Sequence, residues 1–431
     1  MRKISLVNRL KSEFFPKAVL EGKFGDCNLK FLDYKSDDSS IVGDHNCSVI
    51  YFGEVILETI QGDQSAQSIV IKARDTAGSA TGGRMAPWLR LSNEYLFYTE
   101  ILPLLQKCDS SGSISEMFPK FIFGRLASSD DDTSEEFLIF ENVRKRGFKL
   151  CPSRIFIDFD HLELIFRRIA QFHALSFVCK KRYPREFEEI TSKLRELIYT
   201  KEELVELESM LRANTQKSVS TLLQQKPEYG EKVFNVSQVF ENAGLSMSKV
   251  AAPKGPLSVL CHSDLQRNNI FFRYDSERGA PVELIFFDLA LMRHASPAID
   301  LSMPLFANAL PETRSSKWTQ LLRIYHSTLT SCPDLDAQMA PSFDDLILDF
   351  RRRAFHGYTW GCVSLTVMLA KVNEPEVKKD GQIVVSKTEE ECGLSIDKSG
   401  DRGAFYLKEN VKFTIDENFD FQYILNLNLD S

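Results

Sequence analysis

The stretch Val259-Leu-Cys-His-Ser-Asp-Leu-Gln-Arg-Asn-Asn-Ile-Phe-Phe272 carries the most specific pattern in the chain. Within it, His262, Asp264 and Asn269 stand at the spacing His-x-Asp-x-x-x-x-Asn of a phosphoryl-transfer catalytic loop. Asp264 must reach an acceptor hydroxyl and take its proton, and Asn269, five residues later on the same loop, must reach Mg²⁺. We therefore predict Asp264 as the base, His262 as a catalytic-loop residue that acts as a scaffold, and Asn269 as a metal ligand.

A second carboxylate follows at the end of a predicted strand. Leu284-Ile-Phe-Phe-Asp288 is a run of four apolar residues that ends in an aspartate, 19 positions after Asn269. A carboxylate at this place in the order can hold Mg²⁺ against the phosphates of a nucleotide. We therefore predict Asp288 as the second metal ligand.

Three features ahead of the loop complete the same pattern. Ser68-Ile-Val-Ile-Lys72 ends a predicted strand in a lysine suited to the α- and β-phosphates of ATP, and Glu94 on the next predicted helix would pair with it. The turn Gly43-Asp-His-Asn-Cys-Ser48 would place backbone N–H groups over the phosphates. The predicted nucleotide-binding residues are thus Gly43, Asn46, Ser48, Lys72 and Glu94.

Composition excludes several classes of protein. The 431 residues include 53 Lys and Arg against 60 Asp and Glu, which gives a net charge of −7, and 43% are hydrophobic. This balance argues against a nucleic-acid or anionic-membrane partner held by bulk charge. No apolar run of about 18 residues and no apolar signal core occur, so we expect a cytoplasmic protein. Nothing in the sequence specifies an oligomeric state.

The nine cysteines stand singly along the chain, with no Cys-x-x-Cys pair and no histidine at zinc-site spacing. An odd and sparse set of this kind is unlike a disulfide framework. We predict reduced thiols.

Periodicity predicts a strand-rich part followed by a helix-rich part. Strands are predicted at 48–58, 67–72, 118–125, 137–140, 257–261, 269–273 and 283–287. Helices are predicted at 93–106, 156–177, 184–225, 298–305, 315–328 and 343–370, and a loop at 371–404. The predicted fold class is α+β, with a small antiparallel sheet and one key helix in residues 1–141 and a large, mainly helical part in residues 142–431. The two parts would form one catalytic unit.

With these stretches in place, the chain resembles the ecdysteroid kinase-like (CHK kinase-like) family, within the aminoglycoside and choline kinase group. The resemblance runs from about residue 43 to about residue 325. It is carried by residues 43–48, 70–72, 94–103, 140–143, 169–176, 262–272, 274–275, 285–288 and 296–301. It implies a bilobal protein-kinase-like fold with ATP between the lobes. It further implies Mg²⁺-dependent transfer of the γ-phosphate to a hydroxyl of a small molecule, an ecdysteroid or a xenobiotic alcohol. The resemblance also implies that Glu141 marks the segment that binds adenine and that Asp300 braces the catalytic loop.

The chain departs from the family pattern at two places. The family's His-Gly-Asp-Leu-Trp is His262-Ser-Asp-Leu-Gln266 here, and its Asp-Phe-Gln is Asp288-Leu-Ala290. We expect the serine to be tolerated and the loss of the tryptophan to alter acceptor preference.

Several alternatives stay open on the sequence alone. A pseudokinase that binds nucleotide or ligand as a scaffold would keep the same motifs. A protein kinase is disfavoured because Ser263 replaces the arginine that reads a phosphorylated activation loop and only 12 residues separate Asp288 from Asp300. The aromatic residues Phe343, Phe350, Phe355, Tyr358 and Trp360 would form either helical core or an acceptor pocket. His173 is interpreted as a packed helix histidine and not a metal ligand.

Overall fold

The computed structural model describes residues 2–26, 28–37, 48–74, 87–126, 136–253, 255–336, 338–373, 378–379, 382–383 and 399–429. The chain divides into two compact units, residues 1–100 with 118–148, and residues 101–117 with 149–431. The domain boundary between residues 141 and 142 stays a prediction. No helix in the described ranges is long and apolar enough to cross a membrane.

A five-stranded antiparallel sheet dominates the first unit. Its strands are β1 (Lys30–Ser36), β2 (Ser48–Glu58), β3 (Gln64–Arg74), β4 (Phe121–Arg125) and β5 (Phe137–Glu141), arranged in the order β1-β2-β3-β5-β4. The helices of this unit are α1 (Arg2–Arg9), α2 (Phe15–Leu20) and α3 (Pro87–Leu96), with a π-helical turn at Leu10–Phe14 between the first two. The strands predicted at 48–58, 67–72 and 137–140 are confirmed.

Alternation along β3 decides which side chains meet the core. Ile69, Ile71 and Ala73 are buried in one apolar cluster with Phe15 of α2 and Tyr34 of β1. Successive side chains of a strand point to opposite faces, so Lys72 lies on the face away from this cluster. Helix α3 packs against β3 and β5.

The second unit is mainly helical. Its helices are α4 (Leu102–Cys108), α5 (Phe159–Arg182), α6 (Pro184–Ser192), α7 (Lys201–Gln225), α8 (Phe234–Glu241), α9 (Ala243–Ala251), α10 (Ala298–Ala307), α11 (Pro311–Thr330), α12 (Phe343–Arg353), α13 (Phe355–Asn373), α14 (Gly400–Asp416) and α15 (Phe421–Leu429). Its strands are β6 (Lys149–Leu150), β7 (Val259–Cys261), β8 (Ile270–Tyr274), β9 (Pro281–Phe286), β10 (Arg293–Ala295), β11 (Lys378–Lys379) and β12 (Gln382–Ile383). Together with the first unit this confirms the α+β fold class.

Two long predicted helices are each interrupted. The stretch predicted at 184–225 is α6 and α7 with irregular backbone at 193–200, where the Glu196 carboxylate accepts the backbone N–H groups of Ile198 and Tyr199. Such a side-chain acceptor offers the backbone an alternative to helical hydrogen bonds, and periodicity does not detect it. The stretch predicted at 343–370 is α12 and α13, separated by Ala354.

The loop predicted at 371–404 is wrong at both ends. Helix α13 continues to Asn373, and α14 begins at Gly400. Much of the stretch between them, residues 384–398 above all, lies outside the described residues. Helices α14 and α15 were not predicted at all.

A close helix crossing positions α10, which carries Asp300. Gly357 and Gly361 lie one turn apart on α13 and face α10. The Gly357 amide donates to the Ser302 hydroxyl at 3.1 Å. A Cβ atom at Gly361 would lie 2.6 Å from Cβ and 2.9 Å from the carbonyl carbon of Phe306, so only glycine fits.

We expect Gly361→Ala to lower the free energy of unfolding by about 1–3 kcal/mol, because the added methyl group must push α10 and α13 apart. Urea unfolding followed by circular dichroism measures the change. Ser364→Ala on the half-exposed side of the same helix is the matched control and should stay within about 0.5 kcal/mol of wild type. Equal stability of the two variants would show that the crossing is not tight.

Candidate active site

A buried ion pair joins β3 to α3 in the first unit. Lys72 Nζ lies 2.6 Å from Glu94 Oε2, and the two residues are 7% and 2% exposed. Taking both charges out of water is costly, and the contact between them repays part of that cost. The structure thus brings together two residues that the sequence places 22 positions apart.

The other predicted nucleotide-binding residues fall in different places. Gly43 and Asn46 lie outside the described residues, and Ser48 is the first residue of β2, paired with Arg74 in the sheet. Glu141 ends β5, where its carboxylate accepts the Lys120 amide at 3.0 Å and the Arg146 guanidinium at 2.9 Å. Its side chain is therefore engaged within the first unit.

In the second unit, the loop after β7 is anchored by Asp300 of α10. This carboxylate is fully buried and accepts the backbone N–H groups of His262 at 2.8 Å and Ser263 at 2.7 Å. It also contacts His173 Nε2 at 3.1 Å, and His173 Nδ1 contacts the Tyr325 hydroxyl at 2.9 Å. Because a carboxylate only accepts, Nε2 of His173 is the donor to Asp300.

This network also bears on metal binding. His173, Cys261 and Asp300 bring potential ligand atoms within 4.8 Å of one another. Both ring nitrogens of His173 and both oxygens of Asp300 are already taken by hydrogen bonds. This arrangement favours the interpretation of His173 as a packed helix histidine.

The His262 side chain is used within the loop. Its Nε2 donates to the Phe287 carbonyl at 3.0 Å, and its Nδ1 accepts the Asp264 amide at 3.3 Å. The ring is 1% exposed. His262 therefore ties the loop of Asp264 to the residue that precedes Asp288.

Asp264 is half-buried and held by two amide groups. Asn269 Nδ2 donates to its Oδ2 at 2.7 Å, and Gln266 Nε2 donates to its Oδ1 at 2.6 Å. Desolvation raises the pKa of Asp264, and the nearby charge of Asp288 raises it further. A carboxylate with a raised pKa is a stronger base than an exposed aspartate.

Strand pairing sets Asn269 beside Asp288. The antiparallel register joins Ile270 to Phe286, and the Phe287 amide donates to the Asn269 carbonyl at 3.1 Å. Asn269 precedes β8 and Asp288 follows β9, so the two residues leave the same end of the hairpin. Asp288 adopts a left-handed backbone conformation with φ of 65°, which aspartate tolerates better than most residues.

One atom in this group is suited to a cation. The side-chain oxygen of Asn269 is buried and has no hydrogen-bond partner. Amide and carboxylate oxygens are the ligands that Mg²⁺ takes from proteins. The oxygen of Asn269 and the carboxylate of Asp288 therefore fit the metal that the sequence pattern implies.

Ser263 occupies a position that is strained for any residue except glycine. Its φ is 69°, in the left-handed region, where a side chain costs about 1–2 kcal/mol. This explains why the family pattern has glycine there. The hydrogen bonds that its own N–H group and that of His262 donate to Asp300 hold the backbone in place despite the strain.

Sequence reasoning missed the role of two groups of residues. Gln266, noted only as the loss of a tryptophan, contacts the Asp264 carboxylate directly. Next to the loop, β10 pairs Arg293 with Cys261, and Arg293 Nη1 lies 3.5 Å from Glu196 Oε2. Both ring nitrogens of His356 are buried without a hydrogen-bond partner. A ligand or a buried water would satisfy them, and no local sequence signal marks the pairing of β10 with β7.

The five aromatic residues with two possible roles do not behave alike. Phe350, Phe355 and Tyr358 are buried in the core, whereas Phe343 and Trp360 are half-buried. Trp360 donates from its indole nitrogen to the Tyr199 hydroxyl at 3.0 Å. Three of the five are therefore helical core.

We expect Asp300→Asn to destabilise the protein by about 3 kcal/mol, because an amide can accept only on one oxygen and leaves a buried N–H group without a partner. Thermal and urea unfolding measure the loss. Asp63→Asn, at an exposed turn, makes the same chemical change and should stay within about 0.5 kcal/mol of wild type. Unchanged stability of Asp300→Asn would rule out Asp300 as the anchor.

The sequence model of the ecdysteroid kinase-like family matches residues 42–335, more than half of the chain. Among curated proteins, none matches the chain.

Solved structures give only a weak likeness. An ADP-bound aminoglycoside phosphotransferase is 12% identical with a TM-score of 0.31, over 89% of this chain and 95% of that one. A microcompartment-associated aminopropanol kinase is 9% identical with a TM-score of 0.36, over 95% and 99% of the two chains. The family match over more than half of the chain confirms both the resemblance and the predicted enzyme class, a small-molecule kinase. The chain belongs to the ecdysteroid kinase-like family.

Proposed function

We propose that this protein transfers the γ-phosphate of ATP, with Mg²⁺, to a hydroxyl group of a small molecule in the cytoplasm. The observation that carries the proposal is the Asp264 carboxylate, held by Asn269 and Gln266 and raised in pKa by burial and by Asp288. The family name and the sequence resemblance favour an ecdysteroid or a xenobiotic alcohol as the acceptor.

Asp264 is the proposed base. Two amide donors fix its carboxylate, so little reorganisation is needed when an acceptor hydroxyl arrives. As the bond to phosphorus forms, the hydroxyl proton moves to Asp264, whose raised pKa favours its acceptance. His262 positions the loop and takes no proton, because both of its ring nitrogens are occupied.

Asn269 and Asp288 are the proposed metal ligands. The free buried oxygen of Asn269 and the carboxylate of Asp288 leave the same end of the β8–β9 hairpin. When bound, Mg²⁺ neutralises charge on the phosphates as it develops. The hydrogen bond from the Phe287 amide to the Asn269 carbonyl fixes the position of Asn269 relative to the residue before Asp288.

Lys72 is proposed to bind the α- and β-phosphates, with Glu94 fixing its ammonium group. The pair is buried, so the lysine chain has few alternative positions. Gly43, Asn46 and Ser48 are proposed to contribute to phosphate binding, and Glu141 to mark the adenine-binding segment. With a net charge of −7, the protein must hold the polyphosphate by such local groups.

A protein substrate is disfavoured by the segment after Asp288. It consists of a short 3₁₀ turn at Leu289–Leu291, β10 and the start of α10, and β10 is paired with β7. No room is left in these twelve positions for a long activation loop. A small-molecule acceptor is therefore proposed over a peptide.

We expect Asp264→Asn to lower phosphate transfer by about 10²–10⁴-fold, because an amide cannot take the acceptor proton. Nucleotide should still bind, with a dissociation constant within about threefold of wild type, since the amide keeps the size of the side chain. Calorimetry with a non-hydrolysable ATP analogue and a turnover assay measure the two quantities. Asp160→Asn at an exposed position is the control, and a wild-type rate in Asp264→Asn would show that another group is the base.

Asp288→Ala distinguishes an enzyme from a nucleotide-binding scaffold. We expect the wild-type protein to hydrolyse ATP slowly with water as the acceptor, and the variant to lose this turnover because one Mg²⁺ ligand is gone. Asp275→Ala, which removes a strand-end aspartate from the far end of the same hairpin, should keep it. Absence of turnover in the wild type, with water and with any alcohol, would favour the scaffold.

The acceptor itself is found by screening. A library of sterols and plant phenolics incubated with ATP and Mg²⁺ should contain at least one compound that gains the mass of one phosphate. Gln266 contacts Asp264, the proposed base, and stands where the family has a tryptophan. We therefore expect the range of acceptors to differ from that of relatives with the tryptophan.

A further inference from the structure

Two buried cysteines of the second unit are in contact. Cys108 is the last residue of α4, and Cys179 lies in the last turn of α5. Their Sγ atoms are 2.8 Å apart, and both residues are fully buried. A disulfide bond is about 2.05 Å long, so the two sulfurs need to approach by only about 0.8 Å to form one.

The other described cysteines have different surroundings. Cys261 lies against the backbone carbonyls of Ala295 and Ser296, and Cys362 accepts from the Asn410 amide. Among the cysteines in the described ranges, no other pair of sulfurs is recorded in contact. The chain thus contains one preformed dithiol in the part that the structure describes.

The two thiols are not equivalent. Cys179 donates its S–H to Cys108, which lowers the pKa of the Cys108 thiol, and the nearby Arg182 guanidinium lowers it further. The same contact, together with burial, raises the pKa of Cys179. The thiolate, which is the nucleophile, therefore forms at Cys108.

Cys108 lies next to a solvent-exposed turn. Cys108 ends its helix, and the next residues include the exposed Ser110 and Ser111. Arg182 is itself 46% exposed. Cys108 is therefore buried next to solvent-exposed residues, and we expect a small neutral oxidant to reach it from this side.

We propose that Cys108 and Cys179 form an oxidation site that a peroxide converts into an intramolecular disulfide between α4 and α5. The Cys108 thiolate attacks the peroxide, so that an S–O bond forms, the O–O bond breaks and the leaving oxygen departs as water after taking a proton. The Cys179 sulfur then attacks Cys108, so that the S–S bond forms, the S–O bond breaks and the second water leaves with the thiol proton. The two sulfurs lose two electrons in total and the peroxide gains them.

The disulfide would alter the unfolded chain more than the folded one. It closes a loop between positions 108 and 179, and such a long loop loses much conformational freedom when its ends are joined. Since the sulfurs are already in contact, little native strain is added. Oxidation is therefore expected to raise the melting temperature, and a reducing agent should reverse the rise.

The site is tested by peptide mapping of the full-length protein after treatment with hydrogen peroxide. Trypsin releases residues 108–120 and 169–180 as separate peptides, each with one cysteine. We expect them to be recovered as one linked species, two hydrogens lighter than their sum, that reduction separates. Wild-type protein is sufficient for this measurement, so it does not depend on any variant folding.

Variants test the consequence. The rise in melting temperature on oxidation should vanish in Cys108→Ser and in Cys179→Ala and persist in Cys332→Ser, which changes a half-buried cysteine elsewhere. Recovery of peptide 108–120 as a free thiol, as a sulfinic acid or linked to a different cysteine would overturn the proposal. So would a rise that persists in Cys108→Ser.

Discussion

The site in the second unit depends on one buried carboxylate. Asp300 accepts two consecutive backbone N–H groups, those of His262 and Ser263, and the ring N–H of His173. A buried charge without partners would be costly, so these hydrogen bonds restrain the conformation of the loop. This restraint is strong enough to keep Ser263 in a left-handed conformation that favours glycine.

The carboxylate is itself held by helix packing. Asp300 belongs to α10, whose position is set by the close crossing with α13 at Gly357 and Gly361. His173 and Tyr325 connect it to α5 and α11. A local loop geometry is therefore fixed by four helices that are distant in sequence.

The departures from the family pattern acquire a physical meaning in the structure. Where the family has a tryptophan, Gln266 donates a hydrogen bond to the proposed base. The substitution replaces a bulky neighbour with a polar one that orients Asp264. Asp264 and Asn269 are joined by a hydrogen bond, and the pairing of β8 with β9 positions Asp288 near them. A substitution at one of these positions is therefore expected to alter the geometry at the other two.

Much of the fold and of the candidate site follows from the sequence. The strand at 48–58 and those at 67–72 and 137–140 are marked by alternating or β-branched runs, and these signals are local. The motif His262, Asp264, Asn269 and the distant Asp288 are recognisable because their chemistry fixes their type and order. Constraints on residue type and order can be recognised in the sequence without the structure.

The remaining features were decided by tertiary structure. The break at 193–200 comes from a side chain that competes for backbone amides. The contact of Cys108 with Cys179, 71 positions apart, and that of Gln266 with Asp264 depend on how helices and loops pack. Packing brings together residues that no local pattern relates, which is why the sequence determined the chemistry and only the folded chain decided how each reactive group is held.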